Sequence, residues 1–77
     1  MKTKHLGKEN NSEKFHRIAI IRTNNVLKSL QSLAKLSNPR NYKYTKQQVN
    51  KIFNAINNEV RLAKDMFKKH QRERFKL

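Results

Sequence analysis

The interval between Glu13 and Glu59 contains no acidic residue, and this feature constrains the fold more than any other. Its nine basic residues are Lys14, Arg17, Arg22, Lys28, Lys35, Arg40, Lys43, Lys46 and Lys51. A folded surface normally mixes both signs of charge, because like charges repel one another in a compact chain. The 77-residue chain has a formal net charge of +14, and only 35% of its residues are hydrophobic. We therefore expect a partner to complete the structure, either another copy of the chain or a ligand of opposite charge.

Nucleic acid is the partner that this charge favours, because it is the commonest polyanion in a cell. RNA is slightly favoured over DNA, since helices rich in Lys and Asn suit a folded polyanion of irregular shape. We expect a small accessory protein that binds mainly through phosphate contacts and takes part in a homodimer or a ribonucleoprotein particle.

Several other classes of protein are disfavoured by composition. The chain has no Cys and one Gly, and it contains neither a paired-carboxylate constellation nor a glycine-rich phosphate loop. Its three histidines share no metal-ligand spacing. We expect no enzyme, metal site or cofactor. No apolar run reaches the length of a membrane span, so we expect a cytoplasmic protein without membrane insertion.

The first half of the chain predicts a polar arm followed by a helix. Residues 1–11 are basic and lack periodicity, which is typical of a mobile arm. Ser12 is a plausible N-cap with Glu13 in the first turn, and the helix is predicted to run to about residue 37. Apolar side chains recur along one face at Phe15, Ala19, Val26, Leu27, Leu30, Leu33 and Ala34.

The second helix has the clearest start signal in the sequence. Pro39 ends the first helix, and residues 38–45 are predicted to form a connector. Thr45 and Gln48 match a capping box, with Tyr44 placed to staple against Val49. The helix is predicted over residues 46–72. Its apolar stripe contains Val49, Ile52, Phe53, Ile56, Val60, Ala63 and Phe67.

These elements predict an all-α domain over residues 12–77, folded as an antiparallel helical hairpin. The apolar stripes of the two helices are expected to face each other. Two helices alone leave part of each apolar stripe exposed to solvent, so we expect dimerisation or docking on a partner to complete the domain.

The principal candidate site is a row of cations and amides along one side of the second helix, which we call the basic ridge. Its members follow one another at steps of three or four residues: Lys46, Asn50, Asn54, Asn57, Arg61, Lys64, Lys68 and Arg72. Cations of this kind neutralise phosphates, and Asn amides donate to phosphate oxygens or base edges. No acid belongs to the ridge, and Asp65 is expected to pair with Lys69 instead.

Two further groups of residues extend the candidate site. The outer face of the first helix contributes Arg17, Lys28 and Lys35, interspersed with Asn24 and Gln31. The connector contributes Arg40, Tyr42 and Lys43, where an exposed tyrosine can stack on an unpaired base. Tyr44 is expected to pack beside the turn.

Three alternatives remain open at this point. Residues 15–22 could form a strand, with helices over 24–37 and 46–70, in a dimeric DNA-binding regulator of ribbon-helix-helix type. The chain could instead be a helical adaptor or inhibitor that binds an acidic protein through its apolar stripes. It could also lie on an anionic membrane surface, although the second helix lacks Trp and is rich in Asn.

Overall fold

The computed structural model describes residues 9–73, with side chains through Gln71. The elements are helix α1 (Asn11–Ala34), a 3₁₀ turn (Lys35–Ser37) and helix α2 (Lys46–Glu73). No strand occurs within residues 9–73. The all-α class and the order of two helices joined by a short linker are therefore confirmed for this part of the chain. Residues 1–8 of the predicted arm lie outside the described residues.

Helix α1 begins earlier than expected, because Asn10 and not Ser12 is its N-cap. The Asn10 side-chain oxygen accepts a hydrogen bond from the Glu13 backbone N–H at 2.8 Å. The Asn10 backbone N–H donates in return to the Glu13 carboxylate at 3.2 Å. This reciprocal capping box requires an acidic or amide side chain three residues after the cap, and Glu13 stands at that distance from Asn10 only. The predicted cap at Ser12 is wrong for this reason.

Residues 15–22 are helical and form part of α1. The alternative strand over this segment is therefore wrong, and with it the ribbon-helix-helix arrangement that required an extended ribbon there. The β-branched residues Ile18, Ile20 and Ile21 lower helix propensity only slightly. A helix that already has a capped first turn gains one hydrogen bond for each residue added, and this gain outweighs their small cost.

The connector forms at the position that Pro39 predicts. Asn38 is extended, with φ −71° and ψ 109°, which is the conformation favoured before a proline. Its side-chain oxygen accepts from the Arg40 backbone N–H at 3.0 Å, and its carbonyl accepts from the Asn41 N–H at 3.1 Å. These bonds form a turn directly after Asn38. Regular structure resumes only at Lys46, so a short linker joins the two helices.

Helix α2 begins with the capping box predicted from its sequence. The Gln48 backbone N–H donates to the Thr45 hydroxyl oxygen at 3.0 Å, and the Thr45 backbone N–H donates to Oε1 of Gln48 at 2.8 Å. From there the helix continues without interruption for 28 residues, a length of about 42 Å at about 1.5 Å per residue. It therefore provides a long, straight support for side chains placed at helical spacing.

No side chain among residues 9–71 is fully buried. The half-buried residues are Ile18, Ala19, Leu30, Leu33, Val49 and Ile56. All except Ile18 belong to the predicted apolar stripes. The chain divides between Tyr42 and Lys43 into two units, each built around one helix. The packing of the two stripes in an antiparallel hairpin stays a prediction.

Replacing Asn10 with Ala should destabilise the protein, because the first turn of α1 then loses a side-chain acceptor. We expect the free energy of unfolding to fall by about 1 kcal/mol. Urea denaturation followed by far-UV circular dichroism measures this change. Ser12→Ala is the matched control and should have little effect, since Ser12 does not cap the helix. Equal losses in the two variants would contradict the assignment of the cap.

Candidate nucleic-acid interface

The basic ridge lies along one side of α2, because steps of three and four residues return to the same face at about 100° per residue. Every member from Lys46 to Lys68 is exposed. Between these two residues the ridge extends about 33 Å along the helix axis. The side chain of Arg72, the last predicted member, lies outside the described residues.

Arg61 occupies the middle of the ridge and is held by two neighbouring side chains. Its Nη2 atom donates to the Asn58 side-chain oxygen at 2.6 Å. Its Nη1 atom lies 3.6 Å from the Asp65 carboxylate, one helical turn further on. The guanidinium is therefore tethered along the helix, while more than half of the Arg61 side chain remains exposed. An ion pair this exposed is weak, so a phosphate can compete for the same donors.

The pairing of Asp65 with Arg61 corrects the expectation that Asp65 pairs with Lys69. An acid placed four residues before a base has the more favourable order in an isolated helix. The guanidinium of Arg61 nevertheless presents several donors in a rigid fork, which allows it to bond both Asn58 and Asp65. The spacing of these residues from Arg61, three before and four after, is the sequence signal that could have identified both partners.

The lysines of the ridge make no comparable ion pair. Within the part of the chain whose side chains are described, no carboxylate lies within ion-pair distance of Lys46, Lys64 or Lys68. Their ammonium groups are exposed, and the nearest members of the ridge are amides or other cations. These three lysines therefore present positive charge that no acid in the described part of the chain pairs with.

The outer face of α1 is also exposed, but one of its cations is already engaged. Lys28, Lys35, Asn24 and Gln31 all lie on the surface. Arg17 forms a bidentate ion pair with Glu9.

In this pair, Nε of Arg17 donates to Oε2 of Glu9 at 2.8 Å, and Nη2 donates to Oε1 at 2.9 Å. The hydrogen bond and the negative charge of Glu9 raise the pKa of the Arg17 guanidinium above its ordinary value. Arginine is protonated at every physiological pH, so the pair does not alter its charge state. Glu9 therefore occupies the guanidinium N–H donors with which Arg17 could bind a phosphate.

The connector residues are exposed and belong to different units. Arg40 and Tyr42 precede the boundary between the units, and Lys43 and Tyr44 follow it. Tyr44 borders a shallow depression on the first turns of α2, together with Gln48, Lys51 and Ile52. It nevertheless keeps 45% of its surface exposed, close to the 48% of Tyr42. The expected contact of Tyr44 with Val49 stays a prediction.

The described residues contain neither a cluster of metal ligands nor a membrane-spanning helix. No group of three or more His, Cys, Asp or Glu side chains there is arranged to hold a metal ion. No helix in that range is both long enough and apolar enough to cross a bilayer.

Comparison with known proteins found no matching family model, no matching curated protein and no matching solved structure. The interpretation of the exposed cations therefore depends on the geometry and chemistry described above.

Replacing Glu9 with Gln should strengthen binding to a polyanion, because the Arg17 guanidinium is then released. We expect a severalfold gain in affinity for an RNA duplex, together with a salt dependence steeper by about one phosphate contact. Fluorescence anisotropy over a series of salt concentrations measures both quantities.

Glu59→Gln is the matched control, since it makes the same change in net charge on a residue without an ion pair to Arg17. Equal gains in the two variants would show that only net charge matters.

Proposed function

We propose that this chain is a small basic nucleic-acid-binding accessory protein that contacts its ligand mainly through phosphates. RNA is favoured over DNA, and a ribonucleoprotein particle is the setting that best suits so small and so basic a chain. The observation that carries the proposal is the basic ridge. Its exposed cations and amides follow one side of an unbroken helix in a chain of net charge +14.

The chemistry of the ridge suits a phosphate backbone. Each lysine that approaches a phosphate releases condensed counterions, which drives binding at low salt. Asn50, Asn54 and Asn57 lie between the cations and offer amide donors to phosphate oxygens, ribose hydroxyls or base edges. Contacts of this kind fix the position of a protein on its ligand and carry little information about base sequence.

The connector and the outer face of α1 supply additional contacts. Arg40 and Lys43 add positive charge, and the exposed ring of Tyr42 offers a surface on which an unpaired base can stack. Stacking of this kind requires unpaired bases, which loops and bulges of a folded RNA provide. This requirement supports the preference for structured RNA.

The apolar stripes support a second part of the proposal, that the helices pack as an antiparallel hairpin completed by a second copy. Large apolar side chains such as Phe53 and Val60 are more than 40% exposed. Exposed apolar rows of this length are typical of surfaces that become covered. Pairing of two hairpins into a four-helix bundle would cover them and leave the basic ridges outside.

The same exposed stripes favour one alternative, a helical adaptor that binds an acidic protein. Salt dependence separates the two functions. Binding to a duplex through six phosphates should give a slope of log affinity against log salt of about −5. Tight binding to a protein with a nearly flat salt response would favour the adaptor.

Reversing the charge of Lys64 and Lys68 tests the basic ridge directly. We expect the Lys64→Glu/Lys68→Glu variant to bind an RNA duplex about tenfold or more weakly, with a salt slope shallower by about two contacts. Helicity should be unchanged, because Glu and Lys have similar helix propensities. Anisotropy titrations and circular dichroism measure these properties.

The matched control is Lys51→Glu/Lys69→Glu, which changes the net charge equally on a different side of α2. We expect it to weaken binding much less. If both variants lose the same affinity, the ridge is not a preferred site and binding reflects net charge alone.

Replacing Ile56 with Asp tests whether the stripe of α2 is covered in the assembled protein. Ile56 is half-buried, and a carboxylate there would have to enter an apolar contact. We expect sedimentation to show a shift from dimer to monomer, with a lower thermal midpoint. Leu62→Asp is the control, since Leu62 lies off the stripe and is 43% exposed. A dimer that survives Ile56→Asp unchanged would refute this mode of assembly.

A further inference from the structure

Helix α1 carries a basic face of its own, in a different unit from the basic ridge. Its cations are Lys14, Arg17 and Lys28, joined by Lys35 at the first residue of the 3₁₀ turn that follows α1. At about 100° per residue these four positions fall within about 60° of one another around the helix. All four are exposed. We call this surface the α1 basic face.

Most of the charge on the α1 basic face is available to a ligand. In the described part of the chain, no carboxylate lies within ion-pair distance of Lys14, Lys28 or Lys35. Of the four cations, only Arg17 forms an ion pair with an acid in the described residues, and that acid is Glu9. From Lys14 to Lys35 the face extends about 31 Å, which is close to the length of the basic ridge. Each surface is therefore long enough to contact several phosphates of a duplex.

The two cationic surfaces also belong to separate units of the chain. The boundary falls between Tyr42 and Lys43, so the α1 basic face lies in one unit and the basic ridge in the other. A ligand bound to one helix neutralises the charge of that unit and leaves the cations of the other helix without counter-charge. Because the connector links the two helices, the unoccupied surface then has a high effective concentration for a second RNA segment that lies nearby.

We infer that a single chain binds two RNA segments at once, one on the α1 basic face and one on the basic ridge, and thereby bridges them. This inference rests on the proposed function, since it requires that both surfaces bind phosphates. It adds an activity that binding alone does not imply, because a protein with one cationic surface binds RNA without joining two segments. Bridging of this kind would hold distant parts of a folded RNA together.

Energy transfer between two RNA duplexes tests the inference. One short duplex carries a donor dye and the other an acceptor, and the protein is added at one chain for every two duplexes. We expect transfer with the unaltered protein. In the Ile56→Asp background, in which a dimer does not supply the second surface, transfer should persist, and it should fall to the protein-free level when Lys14→Glu/Lys28→Glu or Lys64→Glu/Lys68→Glu is added. Anisotropy should show that each of these variants still binds one duplex through its intact surface.

The Lys51→Glu/Lys69→Glu variant is the control, because it changes the net charge by the same amount at residues that belong to neither surface. It should retain energy transfer. Binding by the unaltered protein without transfer would overturn the inference and leave the proposed function in place. Transfer that persists in either of the two surface variants of the Ile56→Asp background would also overturn it, since one binding surface per chain would then be enough for bridging. A complete absence of binding would refute the proposed function, and the inference with it.

Discussion

Repulsion among the cations of a short chain is the constraint on which the rest of this structure depends. The chain has 19 basic residues and five acidic ones, and too few apolar residues to offset their repulsion with a large core. Stability must therefore come largely from interactions close in sequence. Three of the five acids have such a role among the described residues: Glu9 pairs with Arg17, Glu13 closes a capping box, and Asp65 pairs with Arg61.

Local hydrogen bonds, and not a core, support the starts of both helices, since no side chain among residues 9–71 is fully buried. Capping boxes satisfy backbone groups that the first turn of each helix would otherwise leave open. The long pattern of apolar residues then adds amphipathic faces whose burial requires contacts beyond the single helix. The cations occupy the remaining surface, where the proposed ligand would reach them.

The features that the sequence predicted correctly are those set by residues a few positions apart. The start of α2 follows from Thr45 and Gln48, and the extended conformation of Asn38 follows from Pro39, although α1 itself ends at Ala34 rather than near residue 37. The cap of α1 was misplaced because three polar residues, Asn10, Asn11 and Ser12, precede the same glutamate. Only the three-residue spacing of the capping box distinguishes them.

At the candidate site, the sequence likewise predicted the positions of residues on a helix face but not the partners of their side chains. Helical periodicity alone predicted which residues share the basic ridge, and all its members through Lys68 are exposed. Periodicity gave no means of predicting the pair between Glu9 and Arg17, because Glu9 precedes the helix and lies eight residues away. For Asp65 three bases, Arg61, Lys68 and Lys69, stood three or four residues away, and sequence order favoured Lys69, which is not its partner. The choice depends on the shape of the guanidinium, which reaches two partners at once.

The two ends of α1 differ, and this difference affects the length of the segment that joins the two helices. Its amino end is closed by reciprocal hydrogen bonds, whereas its last turn contains no basic residue and passes into a 3₁₀ turn. Warming therefore unwinds α1 from its carboxyl end, next to the connector. Each residue that leaves the helix replaces a rise of about 1.5 Å with as much as about 3.5 Å of extended chain. We therefore expect the segment that joins the two helices to lengthen as temperature rises, with Lys35 the first cation of the α1 basic face to leave regular structure.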